Sequence, residues 1–528
     1  MKRYYISTLL FISVLCVNLQ AQGDLQYKKL LQTLKFITED YVDIVDTTAI
    51  VDKAINTMLK ELDPHSVYIK AKRVKAANEP LKGNFEGIGI EFNILRDTVG
   101  VVHAISGGPS EKLGIRAGDK IIFVDGENFT GETISNTKVI NTLRGKKDTK
   151  VEVGILRKGE KKVLYFTITR DKIPIYSVDA SHMVAPGIGY IKVNRFAATT
   201  MHEFQQAITE LKTKNLESLI LDLRGNTGGY LGTAIGLADE FLQNGKLIVY
   251  TKGRKRYDNE QYKATSRGNF ETGKLVVLID EGSASASEIV SGAIQDWDRG
   301  IVMGRRSFGK GLVQKPFRLA DGGMIRLTIA RYYTPSGRCI QKPYDKGLAA
   351  YRKDIVERYN KGEFINQDSI KLPDSLKYET LINKRTVYGG GGIMPDIFIP
   401  LDTSNTTDYY SKIIRKGIFN DFISNYIDKK RKKLILTYKD IETFNTNFKV
   451  DEKLTNELMD FATKKGIEKD EKELDKSIDL INKLLKALIA RSLWNTNGYY
   501  EVINKYEPTV LEAIKAIKQD KFKTLNIK

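Results

Sequence analysis

Cysteine and histidine are scarce in this 528-residue chain, which has two cysteines, Cys16 and Cys339, and four histidines, His65, His103, His182 and His202. Two cysteines cannot build a disulfide framework. No zinc-finger spacing, HExxH helix, Walker loop or set of RNP aromatics is present, so no metal or nucleotide cofactor is expected. Low-complexity tracts are missing too, and the longest basic run is Lys429-Lys430-Arg431-Lys432-Lys433. The formal net charge of +19 is therefore read as a solvated surface, and nucleic acid is not expected as a partner. A basic binder of nucleic acid or envelope polymer is the rival reading of that charge.

Near the N-terminus, Tyr4 to Val17 is a mostly apolar run of 14 residues. A bilayer span needs about 20. With Lys2 and Arg3 before it and Ala21 before Gln22, residues 1–21 read as a secretory signal peptide. Leu19 is not the small residue preferred at −3, so an uncleaved anchor is the alternative. Cys16 follows Leu15 rather than a small residue, which argues against a lipoprotein leader. The chain is expected to be exported to the periplasm or cell envelope, associated with the inner membrane if the anchor stays. Cleavage would leave Cys339 alone and no intrachain disulfide.

The composition, 41% apolar and 28% charged, is that of a globular protein. A chain of this length holds several domains, since single cores rarely exceed about 250–300 residues. Its organising stretch is Lys274 to Gln314. Leu275 to Ile279 reads as a strand buried on both faces. Asp280-Glu281-Gly282 and the small residues Ser283 to Ser287 read as a tight turn. Glu288 then opens a helical pattern with Ile289, Val290, Ala293 and Ile294 on one face. A serine on such a turn can act as a nucleophile if a base is near. Ser283, Ser285 and Ser287 all qualify on spacing. No histidine lies in the stretch, although a distant one can fold in. Lys310, between Gly309 and Gly311, is the nearby alternative, because burial favours a neutral amine.

The strings E-G-S-A-S-A-S-E-I and R-S-F-G-K-G-L-V-Q resemble the signature of the C-terminal processing peptidases, or tail-specific proteases. The resemblance implies Ser285 as nucleophile, Lys310 as general base and Gln314, one helical turn further on, as the residue that orients the lysine. Glu288 is the motif's supporting glutamate. It also implies an oxyanion hole made by the Ala286 N–H and an N–H from Leu221-Asp222-Leu223-Arg224-Gly225-Asn226-Thr227-Gly228-Gly229, with Gly228 and Gly229 both open as donor. The implied core is a twisted sheet and helices related to the crotonase fold.

The expected fold class is multidomain α+β. Residues 24–82 are an N-terminal helical region, in which the family's L-D-P-H-S makes His65 structural. Residues 83–172 resemble a PDZ domain: Gly87-Ile88-Gly89-Ile90 forms a glycine loop leading into a strand, suited to a peptide's terminal carboxylate. The G-I-R-A-G-D-K-I-I-F-V-D-G run supports it. Arg116 is either a surface residue or, as in some relatives, a link from bound peptide to the catalytic site. Residues 173–400 form the protease core, and residues 401–528, where the resemblance stops, a helical C-terminal domain. The reading is a serine endopeptidase acting on protein or peptide substrates with free, apolar C-termini. A homodimer and a regulatory or adaptor protein are further partner expectations. A PDZ scaffold with an inactive core is the alternative from another class.

Overall fold

The computed structural model describes residues 24–95 and 97–527, so the leader expected over 1–21 lies outside them. The Leu275–Ile279 run is the middle of a six-stranded sheet. In order across the sheet, the strands are Val178–Ala185, Ile188–Val193, Ser218–Asp222, Lys274–Ile279, Ile301–Gly304 and Ile397–Phe398. The first pair is antiparallel and the rest are parallel.

Side chains alternate across a strand. Leu275, Val277 and Ile279 therefore enter one core, while Val276 and Leu278 enter another. Helices Thr200–Thr213, Leu231–Asp239 and Ala286–Asp296 cover the first face. The second face is covered by Pro508–Lys518 from the far end of the chain, through Val510, Ala513, Ala516 and Ile517. This helix starts beside the L-D-L-R element, where Glu507 pairs with Arg224 at 2.8 Å.

A second sheet has five strands. It pairs Met324–Tyr333 with Leu312–Arg318, Leu247–Gly253 and the N-terminal strand Val67–Ile69, all antiparallel. Residues 24–39, Thr47–Lys60 and Ala71–Lys82 are helical, and the first of these leaves Leu25, Tyr27, Leu31 and Phe36 exposed. The PDZ domain is a six-stranded sheet with helix Asn136–Leu143 and a core of its own.

The C-terminal region is helical, and the amphipathic Leu474–Leu488 pattern lies within helix Glu471–Ile503. Leu474, Ile481 and Leu485 point into a separate core. Arg491 on this helix pairs with Glu91 of the PDZ domain at 3.2 Å. No helix among the described residues is long and apolar enough to cross a membrane.

Ala513 is fully buried against the sheet. Ala513→Asp would bury an unpaired carboxylate, and is expected to destabilise the six-stranded sheet and its helices by at least about 3 kcal/mol. Thermal unfolding followed by circular dichroism checks this. An unchanged transition would mean that helix Pro508–Lys518 does not hold the sheet.

Candidate active site

The strand-to-helix turn gives Ser285 a backbone conformation unusual for a side-chain-bearing residue, φ 56° and ψ −110°. Such a conformation costs about 1–3 kcal/mol and persists only when its neighbours hold it. Here they do. The Ser285 N–H donates to Glu288 Oε2 at 2.7 Å. Its carbonyl accepts from the N–H groups of Glu288 and Ile289 and from the Tyr332 hydroxyl at 3.0 Å.

Glu288 is fully buried, and its carboxylate takes four hydrogen bonds. Oε1 accepts from Ser307 Oγ at 2.5 Å and Gly309 N–H at 2.7 Å. Oε2 accepts from Ser285 N–H and from Lys310 N–H at 2.9 Å. One side chain thus fastens the serine turn to the Gly309-Lys310-Gly311 loop. Burial pushes its carboxyl up to about 7, against the pull of the four donors. The Tyr332 hydroxyl adds a second tie between the loops, reaching the carbonyls of both Ser285 and Lys310.

Ser285, Ala286, Gly228, Gly229, Lys310 and Gln314 line one cleft of about 580 Å³. Burial pushes the Lys310 amine below its ordinary range, and Arg326 adds to the effect, while Glu288 and Asp63 oppose it. Gln314 reaches the cleft from the strand Leu312–Arg318 and not from a helix. The helical-turn spacing expected between Lys310 and Gln314 is corrected accordingly. Pairing with Met324–Tyr333 makes this segment extended, and the Gln314 amide donates to Thr328 Oγ1 at 3.2 Å.

The competing serines are engaged elsewhere. Ser283 and Ser287 are fully buried, and their hydroxyls donate to the carbonyls of Leu223 and Asn226, each at 2.8 Å. None of the four histidines lines the cleft. His65 bonds Tyr351 Oη at 2.8 Å, and burial together with the Lys310 charge pushes it down to about 4.

The two glycines also differ. Gly228 N–H donates to Asn226 Oδ1 at 2.9 Å, whereas Gly229 N–H and Ala286 N–H make no hydrogen bond among the described residues. A Cβ on Gly228 would stand 2.9 Å from the Ser285 Cβ, so only glycine fits this close approach. Asn226 crosslinks the two turns, with its carbonyl accepting from Ala284 N–H and Ser287 Oγ.

A second groove, of about 240 Å³, runs between the PDZ strand Ile90–Leu95 and helix Asn136–Leu143. Ile88, Gly89 and Ile90 line it, and Gly87 does not, being paired in the strand Asn84–Gly87. The N–H groups of Ile88 and Gly89 make no hydrogen bond among the described residues. Arg144 at the groove's edge pairs at 2.6 Å with Glu79 on helix Ala71–Lys82, which also lines the catalytic cleft. Arg116 lies in neither place. It lines a third cavity with Arg431 and Arg491, where the PDZ domain meets the C-terminal helices.

A buried-lysine serine cleft joined to a peptide-binding module describes a serine protease with a PDZ domain. Comparison with known proteins agrees. Residues 187–349 match the model of peptidase family S41, residues 87–168 a PDZ domain and residues 17–73 the activating protease CtpB N-terminal domain. Residues 409–495 match a family of unknown function. The carboxy-terminal-processing protease of Bartonella bacilliformis is 40% identical over 309 residues, covering 58% of this chain and 70% of that protein. The carboxy-terminal processing protease CtpB of Bacillus subtilis is 30% identical over 464 residues, covering 87% of this chain and 89% of that protein. Among solved structures, a photosystem II D1 C-terminal processing protease is 28% identical, with a TM-score of 0.37, covering 71% of this chain and 86% of that one. The chain belongs to the carboxy-terminal processing protease family.

Glu288→Gln would turn an amide NH₂ towards two of the four backbone and hydroxyl donors. The variant is expected to lose about 1–3 kcal/mol of stability at neutral pH, and most of its activity because the serine and lysine loops separate. Denaturant unfolding and peptide hydrolysis measure the two effects. Wild-type activity in this variant would show that Glu288 does not set the site's geometry.

Proposed function

We propose that the protein is an endopeptidase that recognises protein C-termini through its PDZ domain and cleaves by a Ser–Lys acyl-enzyme mechanism. The observation that carries this is the convergence of Ser285, Lys310, Gly229 and Ala286 on one cleft. Neutral Lys310 takes the proton from the Ser285 hydroxyl, and Ser285 Oγ attacks the scissile carbonyl. Ala286 N–H and Gly229 N–H, both without a hydrogen bond among the described residues, stabilise the oxyanion. Gly228 is the weaker candidate for this second donor, because Asn226 already holds its N–H. Losing one such donor typically costs about 10²–10³ in rate. The protonated lysine then gives its proton to the leaving amine, and water resolves the acyl-enzyme. Gln314 positions the lysine from the cleft wall.

The substrate's terminal carboxylate docks on the Ile88 and Gly89 N–H groups, and its last side chain enters the apolar groove beside Val139 and Leu143. Export to the periplasm or cell envelope belongs to the same reading, supported by the leader pattern of residues 1–21. A homodimer is supported by the exposed apolar side chains of residues 24–39.

Ser285→Ala and Lys310→Ala are each expected to abolish cleavage of an unfolded protein with a free apolar tail, while the same substrate with an amidated tail is cut more slowly by the wild type. Normal turnover in Lys310→Ala would rule out the Ser–Lys scheme, and indifference to the tail would remove PDZ recognition.

The pH dependence has a definite sign. Lys310 must lose a proton to act, and Glu288 must lose one to accept all four bonds, so kcat/KM should rise with pH through 7. Stability moves the other way for Glu288. Its folded pKa lies above its unfolded value, so its contribution is complete below the ordinary carboxyl range and is lost as pH rises towards 7. A flat activity profile between about pH 5 and 9 would remove the titrating lysine.

A further inference from the structure

The catalytic cleft carries charge of one sign. Besides Lys310 it is lined by Lys82, Arg318 and Arg326, and no Asp or Glu among the described residues lines it. The three additional cations form no ion pair among the described residues. Lys82 and Arg318 are exposed to solvent at the cleft, and Arg326 is half-buried. Arg326 donates to the Ala77 carbonyl and Asn78 Oδ1, which fixes the guanidinium without neutralising it. Its charge is felt at the lysine, since it helps to push the Lys310 amine down.

The placement follows from strand alternation. Gln314, Pro316 and Arg318 share one face of their strand, and across the ladder Pro316 stands opposite Arg326 and Arg318 opposite Met324. All five line the cleft. Arg318 is four residues beyond Gln314, about 13 Å at the rise of a strand. An extended substrate advances at the same rise. Its side chains two to four residues from the scissile bond would therefore meet Arg326 and Arg318, with Lys82 added to the same cleft by helix Ala71–Lys82.

We propose that these cations make the cleft selective for acidic peptide segments, with Asp or Glu side chains within about four residues of the scissile bond. This rests on the protease reading above and adds to it a substrate class, set independently of the tail. Lys82 and Arg318 supply it by direct pairing. A single exposed ion pair is worth a factor of about two to five, so two acting together should favour the acidic segment by about tenfold in kcat/KM.

The test uses the full chain and three peptides with one shared C-terminal tail. They differ only around the cleavage site, where they carry Glu, Gln or Lys. The expected result is Glu above Gln above Lys in kcat/KM. The preference should collapse near 1 M salt, where the Debye length is about 3 Å, and should shrink towards one in the Lys82→Gln/Arg318→Gln double variant. Both residues are exposed, and the wild-type ratio and its salt dependence stand even if that variant fails to fold. Equal cleavage of all three would overturn the proposal and leave the protease reading intact. If none is cleaved, the protease reading falls. Peptide affinity for the Ser285→Ala protein, measured by fluorescence anisotropy, then decides the charge preference alone: a Glu-over-Lys order upholds it, and equal affinities overturn it.

Discussion

The active site depends on one buried carboxylate. Glu288 sits on the first turn of its helix and reaches backwards to the N–H of Ser285, while its other contacts lie on the loop that carries Lys310. The two loops are joined by no regular ladder. Without this group, a residue held at a left-handed φ would relax, and the serine and lysine loops would keep only weaker ties, the Tyr332 hydroxyl and the Phe308 N–H to Ser283 carbonyl bond. A misplacement of about 1 Å can cost about 10² in rate. The carboxylate is costly to bury, which is why its pKa rises, and four donors offset that cost. The Tyr332 hydroxyl repeats the arrangement with the loop carbonyls as acceptors.

The rigidity of the turn comes from below. Lys274–Ile279 is buried on both faces, so the strand that delivers the serine cannot slide. One face is filled by local helices and the other by helix Pro508–Lys518. Glu507, at the start of that helix, holds Arg224, three residues before Thr227 on the glycine loop. Helix Pro508–Lys518 is therefore part of the platform beneath the glycine loop that lines the cleft.

Ion pairs are among the contacts between the PDZ domain and the rest of the molecule. Arg144 and Glu79 connect its groove to the helix lining the cleft, while Arg491 and Glu91 hold its edge to the C-terminal helices. Single partly exposed pairs of this kind are weak, about 0–1 kcal/mol each.

Much of this was legible along the chain because it is written in contiguous residues. The apolar run Leu275–Ile279, the small-residue turn and the G-K-G loop announce a strand, a serine-bearing turn and a basic loop, and the glycine-rich run of the PDZ domain is equally local. What the sequence could not state is which of several equivalent groups is unengaged. Ser283, Ser285 and Ser287 are alike in spacing, and only folding uses up two of their hydroxyls. Gly228 and Gly229 are adjacent, and only the position of Asn226 distinguishes their N–H groups. Gln314 lies four residues from Lys310, a helical interval, yet pairing with a strand further along the chain makes the segment extended. The cationic cleft is likewise invisible in a net charge, since it joins Lys82 to residues more than two hundred positions away. The sequence by itself determined the elements and the chemical groups, through local propensity and pattern. The tertiary structure alone decided which of those groups meet and which are left without a partner, because hydrogen-bond and charge saturation are properties of space and not of the order of residues.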